Sequence, residues 1–344
     1  MKFSFHPFRL ECTYPFKISR SSFNGYDNFI VYLKLNEFLG RGEIAPSPRY
    51  GESYLHCLNI LKAFPKNIPK CENFQTFKSF FEPHINGIHS IAAGLSMAYW
   101  DLYGKQKGKA VSELFNCESS INQYTSFTIA LGELDLLPKK IKEATPYNIL
   151  KVKCGSKQDR ANITAIRNIT DKTIRIDANE GWTFDEALFM CHWLEGKKVD
   201  LIEQPLKVDS LHLMKELKKE SQIPLIADEN CVRFQDIKTC VQAFHGINIK
   251  LMKCGGLEEV SKMINGAKEL GLKVMLGCMV ESSIGITAMS QFASNADYLD
   301  LDGNLLINND PYTGVSIKNG IPVLPEKKGL GLSLNSDGKV KGLL

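Results

Sequence analysis

Five short β-type runs, each ending in a charged residue, recur at one interval through the middle of the chain. They are Leu150-Lys151-Val152-Lys153, Ile174-Arg175-Ile176-Asp177, Leu201-Ile202-Glu203, Leu225-Ile226-Ala227-Asp228 and Ile247-Asn248-Ile249-Lys250. Their terminal charges are 24, 26, 25 and 22 residues apart. About 25 residues is one strand, one helix and two short loops. The interval extends backwards to Thr128, in the run Tyr124-Thr125-Ser126-Phe127-Thr128-Ile129, 25 residues before Lys153. It extends forwards to apolar runs at 274–276 and 298–301. Helical patterns follow the first seven of these eight strands, at roughly 157–169, 183–194, 209–219, 235–243, 257–270 and 283–294 after the second to seventh. Nothing reverses the strand order, so the pattern predicts an α/β fold, a closed parallel barrel of the TIM type. Active sites of such barrels lie at the C-terminal ends of the strands. Lys153, Asp177, Glu203, Asp228, Lys250, Cys278 and Asp300 all occupy that end and are expected to share one mouth.

Before the barrel, residues 3–14 and 28–35 alternate as half-buried strands do, with a polar loop expected over 17–26. Residues 53–64 and 88–105 read as helices, the second with Ile91, Leu95, Ala98, Tyr99 and Leu102 on one face. This is a small α+β unit. After about residue 305 the rhythm stops among prolines and glycines, leaving a return segment with one or two short strands. The expected division is 1–118, 119–304 and 305–344.

Composition removes several function classes. The net charge of +4 comes from 42 basic and 38 acidic residues with no basic block, which argues against a nucleic-acid partner. No run approaches the roughly 18 apolar residues of a membrane span, and residues 1–7 lack the apolar segment of a signal peptide. Ten cysteines with no C-x-x-C pair suit a reducing compartment, so the cytoplasm is expected.

Asp177, Glu203 and Asp228 are three carboxylates on adjacent strands, which repel unless neutralised. Oxygen-only donors suit a hard ion, Mg²⁺ above all. The alternative is that each caps the helix after it. Lys153 and Lys250 flank the acids on strands two and six, on opposite sides of the mouth. One amine there can remove a proton from a substrate carbon and the other return one to the opposite face. Each must be neutral to act as base, which neighbouring cations would favour; Lys151, two residues before Lys153, is such a neighbour. The other readings are lysines that merely pair with the acids, or a Schiff-base lysine.

Together, Lys151-Val152-Lys153, Asp177-Ala178-Asn179, Glu203-Gln204-Pro205, Ala227-Asp228-Glu229 and Ile249-Lys250-Leu251-Met252-Lys253-Cys254-Gly255-Gly256 resemble the enolase superfamily, in its muconate-lactonizing subgroup. Enolase-superfamily sites are a known example of a lysine base paired with Mg²⁺ and an ene-diolate. The resemblance implies a modified (β/α)7β barrel under an α+β cap formed by the start of the chain and completed by its tail. It implies one Mg²⁺ on Asp177, Glu203 and Asp228, acid/base roles for Lys153 and Lys250, and outer positions for Asn179 and Glu229, the latter beside Lys250. Lys151 would orient a substrate carboxylate. The Lys253-Cys254-Gly255-Gly256 stretch is read as the turn after strand six.

The eighth strand separates members of the subgroup. Asp300 and Asp302 are two residues apart, so on a strand both face one side. Two anions invite a cation, which resembles the dipeptide epimerases, where such a pair holds the α-ammonium of a dipeptide. N-acylamino acid racemases, o-succinylbenzoate synthases and cycloisomerases are the alternatives within the subgroup, and a lapsed binding protein is the one outside catalysis. Thr128 and Cys278 are further candidates for substrate contact. Arg20, with Arg49 as its rival, would select an acidic side chain, as an L-Ala-D/L-Glu epimerase of cell-wall peptidoglycan recycling requires; apolar or basic dipeptides are the open alternative. The expected partners are a dipeptide and further copies of the chain, with neither nucleic acid nor membrane.

Overall fold

Strict alternation at the start of the chain builds a three-stranded antiparallel sheet: β1 (Lys2–Ile18), β2 (Ser21–Leu35) and β3 (Phe38–Ile44). The computed structural model describes residues 1–18, 21–130 and 134–335. The expected loop over 17–26 is largely strand. Phe16 pairs with Phe23, Lys17 with Ser22 and Ile18 with Ser21 in a long hairpin, after a register shift between Glu11 and Phe16. Small polar residues suggest a loop there, but cross-strand aromatics carry the pairing past them.

The helix expected over 88–105 spans His89–Lys107. Its predicted face is buried, and so are Ser90, Ala93, Gly94, Ser96, Met97 and Asp101 around the rest of it. The reason is two-sided packing. Ile91, Leu95 and Ala98 enter the cap core with Phe29, Phe77 and Phe81, while Ala93 and Met97 enter the barrel core. β3 lies on this helix so closely that a Cβ on Gly42 would stand 1.9 Å from the Gly94 carbonyl oxygen. A short helix, Phe74–Phe81, is not apparent in the sequence; it carries two phenylalanines into the cap core.

The barrel follows as β4 (Ser126–Ile129), β5 (Ile149–Lys153), β6 (Thr173–Asp177), β7 (Val199–Glu203), β8 (Leu225–Ala227), β9 (Gly246–Lys250), β10 (Lys273–Gly277) and β11 (Tyr298–Asp300). They pair in parallel in chain order. A parallel bridge between Thr125 and Leu299 closes the ring. Helices follow the first seven strands, among them Asp159–Ile169, Phe184–Leu194, Leu211–Glu220 and Leu257–Glu269. The predicted (β/α)7β barrel is therefore the observed one.

The tail forms two small antiparallel pairs with itself, Tyr312–Thr313 with Ser333–Leu334 and Ser316–Lys318 with Ile321–Val323. It also touches the cap through a Cys12–Ile307 bridge. Cap, barrel and tail meet at the N-terminus of the helix Ser283–Ser290. Glu43 of β3 accepts from Ser282 N (2.9 Å), Ser282 Oγ (2.7 Å) and Gly285 N (3.1 Å). Asp310 of the tail accepts from Ser283 N (2.9 Å) and Oγ (2.7 Å). Two carboxylates thus satisfy amides that the helix itself leaves open. Among the described residues no helix is long and apolar enough to cross a membrane.

Candidate active site

Parallel register puts the charged strand ends side by side. Lys153 stands opposite Asp177, and Asp177 opposite Glu203. Further round, Gly277 stands between Lys250 and Asp300. A Cβ at Gly277 would lie 2.5 Å from the Asn248 side chain, so β10 lends no bulk to the mouth at this level.

The lysines and acids form one buried ionic network. Lys151 Nζ lies 2.9 Å from Asp177 Oδ2, 2.7 Å from Glu203 Oε2 and 2.6 Å from Asp300 Oδ2. Lys153 Nζ reaches Asp177 Oδ2 at 2.7 Å, so Lys151 and Lys153 do point the same way. Lys250 Nζ lies 2.7 Å from Asp228 Oδ2 and 4.0 Å from Glu203 Oε1. Asp177 and Glu203 are fully buried, and Asp228 nearly so. Burial acts to raise the Asp177 carboxyl, but Lys151, Lys153 and Lys250 outweigh it and hold it below the ordinary range. Asp228 is held low in the same way by Lys250 and Lys253 against burial. Glu203 goes the other way: burial and then the neighbouring Asp177 charge push it up to about 7.

The expected depression of the base is reversed at Lys250. Burial acts to lower it, yet Asp228 and Glu203 together outweigh burial and the repulsion of Lys151, and Lys250 is held above the ordinary lysine range. Direct ion pairs at 2.7 Å dominate more distant like charges.

Oxygen-only donors on three adjacent strand ends have the chemistry of a hard divalent-cation site. Glu203 Oε2 accepts no hydrogen bond and is compensated by the charge of Lys151. Among the described residues no three His, Cys, Asp or Glu side chains gather about one point; lysine ammoniums lie between the acids and neutralise them. The donor set therefore fits Mg²⁺, in competition with those ammoniums.

Asp300 is engaged within the barrel, by Lys151 and by Ser126 Oγ at 2.6 Å. Asp302 lies past the end of β11, so the two-residue strand period does not reach it. It accepts from Thr128 N at 2.6 Å, and burial with the Asp300 charge pushes it up to about 7. The two acids are neighbours all the same, at the seam between β11 and β4. Cys278 donates its thiol to the Asp300 carbonyl at 3.3 Å and is partly buried. Asn179, with a φ of 45°, donates its backbone N–H to Asp177 Oδ1 at 3.1 Å. Glu229 is buried, and its charge acts on Arg49. Arg49 is committed to Glu180 by two hydrogen bonds, of 2.9 and 2.8 Å. Arg20 lies outside the described residues.

The turn expected at Lys253 is there: a short helix, Leu251–Cys254, ends in Gly255 at φ 94°. The lysine itself, however, is a site residue. It is 1 % exposed, and its Nζ lies 2.6 Å from Asp228 Oδ1, 2.7 Å from Asp228 O, 2.8 Å from Asn248 O and 2.9 Å from Cys231 O. The sequence signal for this is a lysine three residues after Lys250 inside an apolar run, since a lysine is almost never fully buried without partners. Asn248 is a second site residue that sequence reasoning misses; its Nδ2 donates to Glu203 Oε1 at 2.7 Å.

A family profile described as enolase C-terminal domain-like matches residues 137–338. The chain belongs to the enolase superfamily. Within it, the L-Ala-D/L-amino acid epimerase of Flavobacterium johnsoniae is 36% identical over 97% of this chain and 100% of its own length. The L-Ala-D/L-Glu epimerase of Bacteroides thetaiotaomicron is 36% identical over 96% of this chain and 88% of its own. The dipeptide epimerase of Enterococcus faecalis, solved with Mg and the dipeptide L-Leu-L-Tyr, superposes with a TM-score of 0.87. It is 28% identical, over 96% of this chain and 99% of that one. The enolase-superfamily barrel and its cap are thus shared along nearly the whole length.

Proposed function

We propose that this chain is an isomerase, a Mg²⁺-dependent dipeptide epimerase that inverts the α-carbon of the C-terminal residue. The observation that carries the reading is Lys153 and Lys250, set on strands β5 and β9 across the mouth, each paired with an outer acid of one three-carboxylate row. A carbon held between them meets an amine on each face, which is the requirement for removing a proton from one side and returning it to the other. Asp177, Glu203 and Asp228 would hold the ion, and its chemistry is to neutralise charge that builds on a substrate carboxylate as the α-proton leaves. Acids so engaged would hold the charge on Lys250 less strongly. Lys151 supplies a fixed cation between Asp177 and Glu203, close to where a carboxylate would be bound.

Asp300 and Asp302 are the groups for the substrate ammonium, which favours a dipeptide over an N-acylated amino acid. Ten free thiols support the cytoplasm as its compartment.

The test is a dipeptide library incubated with the protein and Mg²⁺ in deuterated water and read by mass spectrometry. Deuterium at the α-carbon of the C-terminal residue, with accumulation of the other epimer, is the expected result; no exchange in any dipeptide rejects the reading. Asp300→Asn then separates the close alternative, since it should impair free dipeptides far more than N-acyl amino acids.

A further inference from the structure

Residues 250–257 carry two of the site lysines, Lys250 and Lys253, and the cap holds this stretch at three points. Just past β3, the Ala45 N–H donates to Met252 Sδ at 3.4 Å. From the helix His89–Lys107, His89 Nδ1 lies 2.6 Å from the Lys253 carbonyl oxygen, and Ser96 Oγ accepts from Leu257 N at 3.0 Å. The two surfaces are so close that a Cβ at Gly256 would stand 2.7 Å from Ser96 Cβ.

A carbonyl oxygen only accepts, so the proton of the 2.6 Å contact sits on His89 Nδ1. Burial, and then the charge of Arg233, hold the ring below the ordinary histidine range, so it donates as a neutral imidazole. His89 is held in its turn. Buried Glu52 accepts from His89 N at 2.8 Å and from Ser90 N at 3.2 Å, closing a helix N-terminus that has no side-chain cap at Ile88.

The Lys253 ammonium sits among Asp228 Oδ1 and three main-chain carbonyls, at 2.6 to 2.9 Å. Hydrogen bonds weaken steeply with misalignment, so all four are kept together only while the Lys253 backbone is fixed. With Lys253 on Oδ1, the other Asp228 oxygen is the one turned to Lys250.

Resting on the reading of Asp228 as a metal ligand, we propose that His89 is a positioning residue: by holding the Lys253 peptide it fixes the Asp228 carboxylate, so that docking of the cap sets the affinity for Mg²⁺. The route runs from the cap helix to the Lys253 carbonyl, from the Lys253 ammonium to Asp228, and needs no substrate.

The experiment titrates Mg²⁺ into the full chain without substrate, by isothermal titration calorimetry, in the unaltered protein and in His89→Leu, His89→Asn, His89→Gln and Ser96→Ala. His89→Leu supplies bulk without a donor and should weaken Mg²⁺ binding roughly tenfold, the lower end of the range for groups standing behind metal ligands. Asparagine carries its amide nitrogen at the position of Nδ1 and should restore most of the affinity; glutamine carries it one bond farther and should not. Ser96→Ala removes a cap contact to the same stretch that does not involve Lys253, and it should lower Tm while leaving the Mg²⁺ Kd unchanged. Unchanged affinity in every His89 variant, tighter binding by His89→Leu, or an equal loss in the asparagine and glutamine variants would overturn the proposal. So would a loss in Ser96→Ala as large as that in His89→Leu, which would show that any slackening of the cap is enough. If His89→Leu does not fold, the comparison of asparagine with glutamine decides. No Mg²⁺ binding by the unaltered protein would instead bring down the metal reading beneath it, so the two failures are distinguishable.

Discussion

Arg49 and Glu180 form a two-pronged ion pair, with Nε 2.9 Å from Oε2 and Nη2 2.8 Å from Oε1, that ties the cap to the loop after β6. Glu180 Oε1 also accepts from Val208 N at 3.2 Å, so one carboxylate joins the cap to two barrel loops. The arginine expected to compete for a substrate side chain serves instead as a strut.

Arg49→Ala should therefore act on geometry first. Its side chain is 34% exposed, which screens the pair, while that of Glu180 is 9% exposed. The expected cost is about 1 kcal/mol of stability, the upper range for a partly exposed pair. Substrate KM should rise more than kcat falls, because the cap is held less firmly over the mouth. Chemical denaturation and steady-state kinetics check both.

The two lysines should separate by stereochemistry. Lys153→Ala and Lys250→Ala are each expected to lower epimerisation by at least ~10³-fold, within the range for loss of a general acid or base. Each should keep α-proton exchange for one substrate epimer only, and the two variants should keep opposite ones. Proton NMR in deuterated water reads this directly. Full interconversion by either variant would reject the two-base arrangement.

Lys253→Met should be one of the most damaging substitutions outside the two bases. It leaves Asp228 Oδ1 and the carbonyls of Asp228, Cys231 and Asn248 without their shared ammonium. Breaking a buried pair by removing one partner costs roughly 3–5 kcal/mol. A fall in the urea midpoint with an unchanged slope is the expected signature.

Removal of divalent ions with a chelator should abolish epimerisation, and Mg²⁺ should restore it. Binding to the folded chain alone also raises stability, by about 2.7 kcal/mol at a hundredfold excess over Kd. A Mg²⁺-dependent rise in Tm that is absent in Asp177→Asn is the matching observation without turnover.

Glu258 makes stability depend on pH. Burial pushes its carboxyl up to about 7 from an ordinary 4.5, although Trp100 Nε1 and Ser96 Oγ (3.0 Å) donate to it. The folded form then binds the proton more tightly than the unfolded one. Stability is unaffected below about pH 4.5, falls as pH rises towards 7, and levels off above it. In Glu258→Gln that slope should disappear. The variant should therefore gain ~2 kcal/mol relative to the parent between pH 5 and pH 8, since a tenfold difference in proton affinity between folded and unfolded chains is worth ~1.4 kcal/mol. Urea titrations at the two pH values measure it.

The barrel is legible in the sequence because strand length, helix length and strand-end charge repeat together. Counting alone places Lys153, Asp177, Glu203, Asp228 and Lys250 at one mouth. Features that depend on a second surface are not legible. The helix His89–Lys107 looks one-sided in sequence because periodicity cannot show that a barrel covers its other face. Asp302 looks like a strand residue because three-residue strands end without a sequence signal. Lys253 looks like a turn residue because its oxygen partners come from β9 and from the segment just after β8. The reversal at Lys250 has the same origin: whether acids or cations dominate is decided by contacts of 2.7 Å that spacing does not reveal.

The seam between β4 and β11 gives the last barrel strand two duties. Asp300 neutralises Lys151, 149 residues earlier, and receives the Ser126 hydroxyl, while Leu301 N donates to Thr125 Oγ1 at 2.8 Å. A growing chain that has not yet emerged from the ribosome beyond Asp300 has an open edge on β4 and too few anions for its buried ammoniums. Ring closure at Leu299 and charge balance at Asp300 arrive with adjacent residues, so a prematurely terminated product would lack the finished fold and the finished site together.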